Sequence, residues 1–159
     1  MYSFDEHVDD LQGHISRVQH NAKMLALKLA DQGQTEFARV LLANAHVHDA
    51  SKWHGIEWEV LHQGPDVDKA LLKKAIEQHQ KTNPHHPEYW GGLAKMPVIY
   101  IAEMVCDWLA RSQEMGSSLS DWVTKVAPEK FHFEQAKEQV EAIHWLIGLL
   151  LPQKFAKGV

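Results

Sequence analysis

His48 and Asp49 stand side by side at the end of a segment whose apolar residues, Phe37, Leu41 and Ala45, recur at helical spacing. That spacing predicts a helix over 35–49, with His48 in the register of the apolar residues and therefore facing a core. Burying a carboxylate without a partner costs several kcal/mol. The chain must fold so that compensating charge reaches this pair. A divalent cation held by both side chains is the simplest solution, and the other segments read as a scaffold that brings it more ligands.

Those other segments are helical too. From Phe4 to Asp31, Val8, Leu11, Ile15, Val18, Ala22, Leu25 and Leu29 form one apolar stripe. His14 lies beside this stripe, His7 is two turns earlier, and Gly33 is placed to cap the end. Ile56 to Leu61 is a short amphipathic piece and Gly64-Pro65 a turn. Asp66 to Lys81 predicts a third long helix, with Val67, Leu71, Ala75 and His79 on one stripe. Pro97 opens a helix running to about Glu114, with Val98, Ile101, Val105 and Leu109 as its apolar side. Tyr100, Glu103, Asp107 and Arg111 form a second stripe on it. On a surface helix such charges are solvated ion pairs worth a few tenths of a kcal/mol. Asp107, however, sits within Met104-Val105-Cys106-Asp107-Trp108-Leu109, where an isolated carboxylate needs a cation. Ser118 or Ser120 can cap a short helix through Val126, and a last helix is expected from Phe133 to Leu151. No strand pattern appears. The expectation is an all-α, single-domain helical bundle of about six or seven helices over residues 1–152, with 153–159 a loose tail.

Composition narrows the function classes. In 159 residues, 45% are hydrophobic and 23% charged, as in an ordinary globular domain. The net charge of -5, with no Lys/Arg cluster, argues against a nucleic-acid coat protein. The single cysteine, Cys106, rules out an internal disulfide framework. The acidic start of the chain lacks a signal-peptide pattern, and Trp145 to Leu151 is too short an apolar run to span a bilayer. A cytoplasmic protein is expected, with no membrane or nucleic-acid partner and scope for homo-oligomers. The histidine count of 12 is high for this length. About half of them are expected to serve no site, and His20, His46 and His144 have no companions in register.

His14, His48, Asp49 and Asp107 are the candidate ligands of one divalent metal. Imidazole and carboxylate donors suit Mn, Fe, Co, Ni, Zn or Mg in a five- or six-coordinate site. The spacing is not the close pairing of a zinc finger. Singly, His14 or His79 is as readily a hydrogen-bonded core histidine; jointly, the polar residues at core-facing positions favour a site. The loop from Thr82 to Gly92 carries two prolines, two glycines, His85, His86, Glu88, Tyr89 and Trp90, and is a candidate site loop. His79, His85 and His86 can hold a second metal or bind substrate phosphate.

Four short motifs carry a family resemblance. They are His14-Ile15-Ser16-Arg17-Val18-Gln19, His48-Asp49-Ala50-Ser51-Lys52, Asn83-Pro84-His85-His86-Pro87-Glu88 and Glu103-Met104-Val105-Cys106-Asp107-Trp108. In this order they resemble the HD-domain superfamily of metal-dependent phosphohydrolases, and within it a small bacterial and phage branch. That branch often has two adjacent histidines on its third helix, where this chain reads Gln78-His79. The resemblance implies an HD-type fold and a phosphohydrolase acting on a nucleotide or other small phosphate ester through a metal-activated water, with one or two metal ions. On that reading Asp49 orients the nucleophile and Lys52 neutralises phosphate. Glu103 or Glu57 transfers a proton if burial raises its pKa. Trp90 and Tyr89 stack a base or close the cleft, and Arg111 adds an anion contact. The superfamily also includes two-iron oxygenases, which form the main alternative; a non-catalytic metal or nucleotide binder is the third.

Overall fold

The computed structural model describes residues 3–61 and 66–151; the expected Gly64-Pro65 turn and the tail lie outside the described residues. The fold is one all-α domain with no strand among the described residues. Helix α1 (Phe4–Asp31) starts at a capping box, in which the Ser3 hydroxyl accepts from Glu6 N and the Glu6 carboxylate accepts from Ser3 N. It ends where Gly33 turns left-handed and the amides of Gly33 and Gln34 donate back to Ala30 and Leu29. Its stripe of Val18, Ala22, Leu25 and Leu29 is fully buried. Helix α2 (Thr35–His46) packs antiparallel to α1 through Ala38, Leu41 and Ala45.

Helix α5 (Val98–Met115) is the centre of the molecule, in contact with α1, α2 and α8 (Lys137–Leu150). Every residue from Ile101 to Cys106 is buried, so α5 is enclosed all round rather than apolar on one face. That enclosure is what takes Glu103 into the interior. Pro97 precedes the helix as its N-cap, and Val98 is partly exposed instead of belonging to the apolar side. Short helices α6 (Leu119–Asp121) and α7 (Ala127–Lys130) connect α5 to α8, with Ser118 capping α6. Trp108 stacks on Phe131 in this connection.

The remaining elements form a looser outer layer. Helix α3 (Gly55–Val60) leads to α4 (Lys69–Thr82), which packs mainly on α3 and on the 3-10 turn Pro87–Trp90. Three helix boundaries differ from expectation. Helix α4 begins at Lys69 because the Asp68 carboxylate accepts from Ala70 N and Leu71 N and caps it there. Its expected stripe is buried only at Ala75 and His79, since Leu71 is 41% exposed. Phe133–Gln135 forms a separate 3-10 turn before α8. Helix α2 stops at His46, three residues before Asp49, and the chain then turns. No helix among the described residues is long and apolar enough to cross a membrane.

Candidate metal centre

The turn after α2 makes the site possible. Adjacent residues of an α-helix point about 100° apart, so a helix through residue 49 would aim His48 and Asp49 at different neighbours. Instead Asp49 adopts a left-handed backbone (φ 56°, ψ 19°), and both side chains are buried facing the same space. Asp49 lies at the middle of it. Its Oδ2 is 3.4 Å from His14 Nε2 and 3.6 Å from His48 Nε2, and Asp107 Oδ1 lies 3.1 Å from the same His14 nitrogen. Its Oδ1 is 3.2 Å from His79 Nε2 and 3.4 Å from His85 Nε2. His86 stands against this second group, its ring 4.8 Å from that of His79.

A second layer of carboxylates fixes the imidazoles. Glu114 Oε1 lies 2.8 Å from His14 Nδ1, and Glu57 Oε2 lies 2.8 Å from His79 Nδ1. Glu103 Oε1 serves His48 Nδ1 at 2.9 Å and His85 Nδ1 at 3.3 Å. A carboxylate can only accept, so each Nδ1 carries the proton and each Nε2 lone pair is turned inward. There it meets no donor. His14, His48, His85 and His86 Nε2, with Asp49 Oδ1 and Asp107 Oδ1, are buried without a hydrogen-bond partner. Six such atoms facing one space suit shared positive charge there, as extra protons on the imidazoles or as a metal ion. Ligand atoms of His14, His48 and Asp49 lie within 4.8 Å of one another, as do those of His79, His85 and His86. These buried clusters can hold a metal ion on either side of Asp49.

The electrostatics favour positive charge. Burial alone would raise the Asp49 carboxyl, but His48 and Lys52 beside it, with contacts from His14 and His79, hold it well below the usual carboxylate range. Asp107 is likewise held low against its burial by His14 and His48. Burial opposes charge on His14 and His85, yet Asp107 and Asp49 raise the first to about 9, and Asp49 and Glu103 raise the second to about 10. His86 is pushed down to about 3 by burial and by His85 and His79. A divalent ion entering such a field displaces the extra protons.

A cavity of about 470 Å³ opens onto this centre. His14, His79, His86 and Asp107 reach its wall, as do Lys52 and Arg111. Lys52 Nζ lies 2.6 Å from Asp49 Oδ2, and Arg111, 53% exposed, donates to Glu114 at 3.0 Å. Trp90 is not at the cavity: its indole donates to Pro84 O and its ring packs against Tyr100 and the core, because the Pro87–Trp90 turn tucks inward. Tyr89 is outside the cavity lining as well. Glu103 does not meet the condition set for proton transfer. Its burial is outweighed by His48 and His85, which lower it to about 2.

Several contributors carried no assigned role in the sequence. Glu114 extends the α5 stripe of Glu103, Asp107 and Arg111 by three residues, and that spacing was the available signal. Ser51 Oγ donates to Glu57 at 2.9 Å, and Asn83 Nδ2 donates to Ser51 Oγ at 2.9 Å, bracing the His79 support. His20, His46 and His144 are exposed and outside the centre.

The model of DUF5662, a family of unknown function, matches residues 3–146, which include every residue of the centre. The chain belongs to that family. No curated protein and no solved structure matches it.

Proposed function

We propose that the protein is a metal-dependent phosphohydrolase acting on a nucleotide or other small phosphate ester. The observation that carries this reading is the division of the Asp49 carboxylate, one oxygen toward His14 and His48 and the other toward His79 and His85, beside a cavity that also presents Lys52 and Arg111. His14, His48, Asp49 and Asp107 would hold one ion; His79, His85, His86 and Asp49 would hold a second. A divalent ion there supplies Lewis acidity toward a phosphoryl oxygen and a more acidic water. The chain does the rest. Lys52 and Arg111 neutralise and orient the phosphoryl group, and the outer carboxylates keep the Nε2 lone pairs aimed inward. The four-motif resemblance to the HD-domain superfamily supports the same reading.

The histidine-rich donor set also suits two irons, which is what favours an oxygenase as the second reading. Elemental analysis of freshly purified protein, paired with turnover assays, separates these. Two metal equivalents in wild type, none in Asp49→Ala, and phosphate release that stops on chelation are expected. Iron with oxygen consumption and no phosphate release would favour the oxygenase. Metal with no turnover in either assay would leave a binding protein. Equally low metal in wild type and Asp49→Ala after reconstitution would remove the centre altogether.

A further inference from the structure

The cavity beside the centre has walls that differ along its length. Helix α1 lines it with His7, Asp10, Leu11 and His14, and α4 lines it with Ile76, His79 and Gln80. These are i, i+3 and i+4 positions, so each helix contributes one continuous face. Near the centre the wall carries Lys52 and Arg111; among the described lining residues there is no third lysine or arginine. Both cations are already engaged with carboxylates, Asp49 and Glu114. One turn before His14, about 6 Å along the helix axis, Asp10 stands exposed on the outer wall. The other outer residues are His7, whose ring packs on Trp58, Leu11, Leu61, Ile76 and Gln80.

This gradient sorts phosphate esters. A single phosphoryl group at the centre meets Lys52 and Arg111. A second or third would extend outward, meet no lysine or arginine among the described lining residues, and approach the Asp10 carboxylate. An organic group in the same place finds apolar walls, and its hydroxyl or amino hydrogens find acceptors in Asp10 and Gln80. The volume lies in the range of roughly 300–1,000 Å³ usual for small-molecule sites.

Building on the phosphohydrolase reading, we propose that the cleft selects a monophosphate ester, a nucleoside monophosphate over its di- and triphosphate, and that Asp10 is the residue that rejects further phosphates. The test compares kcat/KM for the mono-, di- and triphosphate of one nucleoside, using protein reconstituted with the metal found in it. Wild type should prefer the monophosphate over the triphosphate by at least about tenfold, and Asp10→Lys should shrink that ratio by about tenfold. Asp10→Asn should move it the same way by less. Glu36→Lys, the same charge change on the first turn of α2, should leave the ratio where it was. A triphosphate hydrolysed as well as the monophosphate, or a ratio that Asp10→Lys does not move, overturns the selectivity while the hydrolase reading stands. No release from any of the three, nor from a generic aryl phosphate, overturns both.

Discussion

The two halves of the centre share Asp49 but are built on different foundations. The His14, His48 and Asp107 half rests on α1, the end of α2 and α5, the helices that enclose the core. It has a second carboxylate of its own in Asp107, and His48 is buried to 2% exposure. The His79, His85 and His86 half rests on α4 and a loop, in a layer where Leu71 and Ile76 are both 41% exposed. Apart from the shared Asp49 its donors are imidazoles. On the proposed two-ion reading, charge and rigidity both favour tighter binding in the first half, while both halves reach the cavity, through His14 and Asp107 and through His79 and His86.

The largest effect expected is at the shared residue. Asp49→Ala should empty both halves and reduce turnover to background, as read by elemental analysis and phosphate release. If one ion survives, the halves are more independent than the shared carboxylate implies. Next, Asp107→Ala and His79→Ala should each remove one ion, but from different ends of a titration. His79→Ala should abolish the weaker step, and Asp107→Ala the tighter one; chelator competition reports which. Loss of the same step in both would merge the two halves into one site. A smaller effect is expected behind the ligands, where Glu114→Gln and Glu57→Gln should weaken metal binding about 10- to 100-fold, each in its own half. The smallest tests the foundations themselves. Leu71→Ala should change stability by less than about 0.5 kcal/mol, against about 2–5 kcal/mol for Leu25→Ala in the α1 core, both by denaturant unfolding. A large cost at Leu71 would show that the outer layer is as well anchored as the inner one.

The same contrast governs what could be read from the sequence. Long stripes such as Val18, Ala22, Leu25 and Leu29 are repeated many times over, so the inner helices and the all-α class were legible from periodicity alone. The outer layer was read less well because capping, not periodicity, sets its limits, as where Asp68 starts α4; the backbone turn at Val47 that ends the inner helix α2 likewise leaves no periodic signal. Polar residues at core registers pointed to the centre, and His14, His48, Asp49, Asp107, His79 and His85 do come together. Their supports were harder to see. Glu103 looked like one member of a charged stripe, and only the enclosure of α5 on all sides shows it facing two imidazoles at once. Trp90 looked like a stacking surface because it shares a loop with His85. A part-buried hydrogen bond to Pro84 O turns it away, and no spacing rule encodes that.

The left-handed backbone at Asp49 has a further consequence. A non-glycine residue held there costs on the order of 1–3 kcal/mol, and asparagine and aspartate are among the side chains that tolerate it best. Glycine, which relaxes such a turn most, and asparagine alike cannot supply a charged bridging oxygen. Asp49→Asn keeps the turn but removes the carboxylate that Lys52 and the histidines face, so it should melt below metal-free wild type as well as being inert. Turn and charge are thus fixed together in one residue, on which both halves depend.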